Sequence, residues 1–357
     1  MAILSFLSVN PDFNFLFIIL AAELIILMLL IFALVFVKVR DYYADKREKY
    51  AQQTISLLFL ETLEKVEDVQ PLEVALKPFA NDRILLYQVE NFERRFKGGE
   101  WDKIKKAVSE IFLLPKARKF YSSPTLSQKN FAARAFALCP FQDDLPKILS
   151  LLNDDSFLIR AIAASAAIEL EDFAAVDKIL FFMSQQEGYT HFFYRDLLVN
   201  KSSINVLKYI EEVAEKNKDL AIHLCCLEVL SRKSLIITRH FLTKDLHSAD
   251  EKIRLAAVRL YAHNLQKESP VVLSLCIEDS YPQIRMEAAI GLRHFLSGSA
   301  LKLLEKALSD KEWEVRLQAG LSLKNMGKLG QQILDNQSPE GNQVAYDTAQ
   351  YVSHFDW

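Results

Sequence analysis

Leu151-Leu152-Asn153-Asp154-Asp155-Ser156-Phe157-Leu158-Ile159-Arg160-Ala161-Ile162-Ala163-Ala164 holds the pattern that decides the fold. An apolar start runs into a cluster of Asn, Asp and Ser. Their side chains accept hydrogen bonds from the free N–H groups at a helix start. Ile159 then stands four residues before Ala163, and Ala164 completes a pair of small residues. Residues four apart share one helical face. The small pair therefore lies mid-face, where a neighbouring helix can approach closely.

The same features return along the chain. Small pairs occur at Ala132-Ala133, Ala163-Ala164, Cys225-Cys226, Ala256-Ala257, Ala288-Ala289 and Ala319-Gly320. Tyr194-Arg195 keeps the spacing but loses the small residues. First members are separated by 31, 31, 31, 31, 32 and 31 residues. Apolar residues follow four places on, as Phe136, Leu198, Val229, Leu260, Leu292 and Leu323. Shorter apolar runs precede each pair, as in Pro146 to Leu152, Pro270 to Leu275 and Leu301 to Leu308. One unit thus reads helix, turn, helix. Such a unit cannot bury its apolar face alone and must stack on its neighbours. A fixed period of this size predicts an all-α solenoid over residues 121–327.

Asp279 to Ala289 and Asp310 to Gly320 repeat the order Asp, then Ile-Arg or Val-Arg, then the small pair. On those residues the chain resembles the short-unit HEAT family, the PBS-lyase-like (E–Z type) HEAT repeats. The resemblance implies that Asp154 with Arg160, Asp279 with Arg285, and Asp310 with Arg316 form a stacking ladder between units. A catalytic role for these pairs is the opposing reading, but repetition argues for a shared structural task. Two units depart from the pattern. One carries Ile222-His223 at the arginine motif, and the next carries Ile253 with Arg254 one place late relative to its small pair. The unit around Tyr194 and Arg195 has lost the pattern, through drift or because a partner docks there.

Phe15 to Val37 is one apolar run broken only by Glu23. At a rise of about 1.5 Å per residue it crosses a hydrocarbon core of roughly 30 Å. Lys38, Arg40, Lys46, Arg47 and Lys49 follow it, whereas no Lys or Arg precedes it. The positive-inside rule places residues 1–14 outside and everything after residue 38 in the cytoplasm of an inner or plasma membrane. A cleaved signal peptide would need a basic start and a small-residue cleavage site, and neither is present here. A carboxylate at Glu23 costs about 3 kcal/mol within a span. It is either relieved by water near the interface or met by a polar group on another membrane helix.

Residues 38–120 read as a juxtamembrane helical region. The membrane helix is expected to continue past Asp41 and to stop before Pro71, and Ile104 to Leu114 is expected to stop at Pro115. Residues 328–357 form a tail ending in Phe355 and Trp357, either folded back as a cap or read as a peptide by a partner.

Nine Gly and ten Pro in 357 residues suit an all-helical chain. A net charge of −3, with only short basic clusters such as Arg232-Lys233 and Arg239-His240, argues against the basic face that nucleic-acid binding usually shows. Cys139, Cys225, Cys226 and Cys276 form no CxxC motif and read as small buried residues. His240, Asp245 and His247 are the nearest approach to a metal set, without a standard spacing. No phosphate loop, GxSxG or kinase signature occurs. No cofactor, small-molecule substrate or enzymatic activity is therefore expected.

The chain is expected to be a membrane-anchored scaffold or adaptor binding a protein partner at the cytoplasmic face. It would serve as an accessory subunit of a membrane complex, such as a glycosyltransferase of a surface-polysaccharide system. The family resemblance keeps a bilin lyase or isomerase as one alternative, and a membrane-tethered regulatory protein is the other. Tyr194, Arg195, Phe355 and Trp357 are candidate docking residues, and Glu23 is the candidate intramembrane contact.

Overall fold

A computed structural model describes residues 11–65, 70–79, 81–185, 187–233, 244–264 and 268–354. Among the described residues the chain is all helix and turn, without a strand. It divides into two compact units, residues 1–139 and 140–357.

The first unit is organised by α1, Pro11–Lys65, a single helix of 55 residues and about 80 Å. Neither Gly nor Pro follows Pro11 within it, so nothing breaks the hydrogen-bond ladder. Its surroundings change along its length. Large apolar side chains from Ile18 to Val39 stand exposed all round, and the most apolar window has a mean hydropathy of 3.1 with none of it buried. Burial begins at Ala51, Ile55 and Phe59, on one stripe of spacing four. Phe59 meets Phe92 of α3 (Asp82–Arg95) at 5.1 Å and Trp101 of α4 (Gly99–Val108) at 5.6 Å between ring centres. The short helix α2, Gln70–Leu76, lies against α1 as well.

Pro115 does not end its helix. A π-helical turn, Ser109–Leu113, widens the backbone after α4, and α5, Leu114–Phe120, begins with proline in its first turn. The Leu114 N–H closes the wide turn on the Ser109 carbonyl, and Pro115, which has no N–H to place, follows at the second position of α5. The helix α6, Leu126–Leu138, carries Ala132-Ala133 and packs on α5 and α3. The first small pair therefore belongs to the first unit.

The second unit is a row of helical pairs. They are α7 (Leu145–Leu151) with α8 (Phe157–Glu169), α9 (Phe173–Ser184) with α10 (Tyr189–Lys201), and α11 (Ile204–Lys216) with α12 (Leu220–Leu230). After residues 234–243 comes α13 (Glu251–His263). Then follow α14 (Ser269–Cys276) with α15 (Pro282–Leu292), and α16 (Gly298–Ala307) with α17 (Trp313–Asn325). Successive second helices, α8, α10, α12, α13, α15 and α17, pack side by side. Their small residues lie where they meet: Ala163, Ala164, Cys226, Ala257, Ala288, Ala289 and Ala319 are fully buried. Burial pushes the Cys225 thiol up to about 12, which leaves it an inert packing group.

Residues after 327 do not trail off as polar sequence suggests. They form another pair, α18 (Lys328–Asp335) with α19 (Pro339–Ser353). Ala345, Ala349 and Val352 of α19 are buried, and Tyr351 meets Trp313 edge-on at 5.1 Å. Val352 fills the space over Gly320, where a β-carbon would come within 2.7 Å of it. Small and apolar residues spaced four and three apart carry α19, although its exposed positions are mostly polar.

Candidate functional site

In three units one Asp sets the turn before the second helix. Asp154 accepts from the Ser156 N–H at 2.9 Å, Asp279 from Tyr281 at 2.8 Å, and Asp310 from Glu312 at 2.9 Å. The fourth residue of the following helix is an arginine, and it folds back over that turn. Arg160 donates to the carbonyls of Asp154 and Asp155 at 2.7 and 2.8 Å. Arg285 does the same to Asp279 and Ser280, and Arg316 to Asp310 and Lys311. Within a unit, then, each pair meets through the main chain and not as two side chains.

The ion pairs run between units instead. Arg285 grips Asp310 with two parallel bonds of 2.7 and 2.8 Å, and Arg254 grips Asp279 at 3.2 and 3.3 Å. Arg254 also covers the carbonyls of Ser248 and Ala249. It is the fourth residue of α13, the place that Arg285 holds in α15. Its small pair comes one residue early, and the arginine is in line. Counting from the helix start at Asp250 would have found it. Burial opposes ionisation of Asp310, but Arg285 and the Glu312 N–H outweigh it and hold the carboxyl below its ordinary 3.8. Arg316 ends the run against the Trp313 ring at 5.3 Å.

Where the arginine pattern lapses, histidine takes over. His223, also fourth in its helix, has Nδ1 2.8 Å from the Ala214 carbonyl and Nε2 3.0 Å from Asp245. His191 lies 3.0 Å from the Met183 carbonyl and 2.7 Å from Glu228. Each ring faces two acceptors, which only the doubly protonated imidazolium satisfies. Asp245 and Glu228 are the first cause that raises these pKa values above 6.5; burial opposes them, and the two carbonyls add to the rise. A raised folded-state value gives stability that is complete below about pH 6.5 and is lost as pH rises through that value. Melting temperature should therefore fall between pH 6 and pH 8.5 by more in the native chain than in a His191→Gln/His223→Gln variant. His294, whose pKa burial lowers first and the neighbouring Arg293 and His263 lower further, acts in the opposite sense. It is common to both proteins and cancels. Equal slopes would show that neither imidazole is charged in the fold.

Tyr194 is not a docking residue. It is 1% exposed, with its ring between Phe157 at 5.8 Å and Phe182 at 5.9 Å. An aromatic ring fills the space that small pairs leave elsewhere. Arg195 points the other way, over Phe192 at 4.8 Å. It lines a cleft of 510 Å³ with Glu228, Arg232, Lys233, Lys252 and Arg259. Glu287 lies on the cleft floor, 2.7 Å from Arg259. Only Arg232-Lys233, in the turn after α12, is a cluster in the sequence; the other members come from α10, α12, α13 and α15, far apart along the chain.

Glu23 lies exposed on α1 among exposed apolar side chains. Phe355, Trp357 and His240 lie outside the described residues. Asp245 is committed to His223, and no group of metal-ligating side chains occurs among the described residues.

Comparison with curated protein sequences gives no match. Human deoxyhypusine hydroxylase in complex with glycerol is similar in structure at 13% identity and a TM-score of 0.28, over 71% of this chain and 96% of that one. The Escherichia coli protein YibA is similar at 13% identity and a TM-score of 0.37, over 73% and 99%. An engineered protein aligns at 13% identity and a TM-score of 0.33, over 87% and 94%. At these scores the three carry no argument about this chain. The family model described as HEAT repeats matches residues 269–335. Those residues are α14 to α18, the stretch where Arg285 and Asp310 join one unit to the next, and over it the chain is similar to HEAT-repeat proteins.

Proposed function

We propose that this chain is a membrane-anchored helical-repeat scaffold, which holds a protein partner at the cytoplasmic face of the membrane and binds it without catalysing a reaction. One observation carries the proposal. The same unbroken helix is apolar and exposed from Ile18 to Val39 and then buries a stripe from Ala51 onward in the first helical unit. Exposed apolar surface on that scale needs a lipid or protein cover. A helix with no break transmits position from bilayer to folded unit, and confinement to a surface raises the effective concentration of a scaffold and its partner. The cations after residue 37 support a cytoplasmic placement of both units. The repeat turns use their Asp and Arg side chains in packing, which supports binding in place of chemistry.

Glu23 is the point on the anchor at which a companion membrane helix would be recognised, since a carboxylate in lipid seeks a polar partner. Membrane fractionation tests the proposal. The full chain should resist alkaline carbonate extraction, and deletion of residues 18–39 should release it. A reporter active only outside the cytoplasm, fused after residue 60, should stay silent. Extraction of the full chain, or an active reporter, would overturn the reading. Glu23→Leu should insert as well as the native chain yet lose its crosslinked membrane companion; retained crosslinking would leave the anchor as a tether alone.

A further inference from the structure

We infer that the cleft between α10, α12, α13 and α15 is a docking site for an acidic peptide segment of the partner, with an apolar residue between its carboxylates. The inference rests on the scaffold reading and names the chemistry of what is held. Five cations line the cleft, Arg195, Arg232, Lys233, Lys252 and Arg259, against Glu228 and Glu287. The whole chain carries a charge of −3, so this is a local excess against the sign of the molecule.

Both carboxylates are already engaged. Glu228 takes His191 at 2.7 Å, and Glu287 takes Arg259 at 2.7 Å. Arg195 is held as well, by Asp196 at 2.8 Å, which leaves Arg232, Lys233 and Lys252 as the cations the cleft offers. Arg232, Lys233 and Lys252 have no acidic partner among the described residues. No ion pair or side-chain hydrogen bond among the described residues engages them, although they line a 510 Å³ cleft. Concave sites of about 300–1,000 Å³ are the usual size for an inserted ligand group. Leu255 and Ala256 supply an apolar patch within the same walls. Discrete cations around an apolar patch match discrete carboxylates around an apolar side chain.

A nucleic-acid strand fits less well. Its continuous phosphates would meet Glu228 and Glu287, and the described residues lining the cleft include no aromatic ring on which a base could stack.

The test titrates a fluorescein-labelled decapeptide, nine glutamates around one central leucine, into the full chain in detergent. Its glutamine counterpart and oligouridylate are titrated alongside. The glutamate peptide should bind and weaken steeply with added salt, as screened charge pairs do. Arg232→Glu/Lys233→Glu and, separately, Lys252→Glu should each weaken it about tenfold, with helix content and melting unchanged. Two separate sites are used so that one poorly folded variant does not decide the matter. Equal binding by the variants, equal binding of the glutamine peptide, or tighter binding of oligouridylate would each overturn the inference. An inserted chain that ignores the peptide refutes the cleft and spares the scaffold reading. A chain that binds the peptide but washes off the membrane refutes the anchor and spares the cleft.

Discussion

Asp310→Ala should destabilise the second unit by about 3 kcal/mol, because removing one partner of a buried ion pair strands the other charge. Arg285 is 7% exposed and Asp310 14%. The guanidinium would keep the carbonyls of Asp279 and Ser280 but lose both bonds to the next unit. The Glu312 N–H would lose its acceptor as well. For a unit of this size that corresponds to a drop of about 6–12 °C in melting temperature. Asp310→Asn keeps an acceptor for Glu312 and one bond to Arg285, so it should fall between the two. Thermal unfolding of the full chain in detergent, followed by circular dichroism, measures all three. Unchanged melting in Asp310→Ala would mean that the units are held by apolar packing alone.

Gly330→Ala should cost as much, for a different reason. Gly330 sits in the first turn of α18, directly against the end of α17. A β-carbon there would lie 1.9 Å from the Leu323 carbonyl oxygen and 2.6 Å from its carbon. Both are backbone atoms, so no side chain can swing aside. Overpacking of this kind costs about 1–3 kcal/mol or more, and a rigid obstacle puts it at the upper end. Gly298→Ala is the control. Gly298 opens α16 with nothing within 4 Å of a new β-carbon. That change should be neutral or stabilise by about 0.4–1 kcal/mol, through the unfolded chain. If both variants melt alike, α18 does not approach α17 as described.

The all-α architecture was legible because its cause is local. Small pairs in six of seven slots 31 or 32 residues apart each need a close helix, and the Asp turns mark where several of those helices begin. The apolar run after Phe15 needed no tertiary information either. The helical path through Pro115 was not legible, since proline is read as a stop and only the π-helical turn before it shows how the chain continues. The pair α18–α19 was missed because exposed polar residues mask a thin apolar stripe of Ala345, Ala349 and Val352.

By itself the sequence determined the repeat, its period, the helix–turn–helix unit and the long apolar helix. Each follows from residue spacing within one turn or one unit. Only the tertiary structure decided the rest. Arg254 and Arg285 reach an Asp 25 residues ahead, in the next unit. His191 and His223 stand in for arginine, Tyr194 turns inward, and cations from separate helices meet in one cleft. Those pairings depend on how far each helix is rotated and shifted against its neighbour. That is fixed by packing between units, where a residue's partners lie far away along the chain.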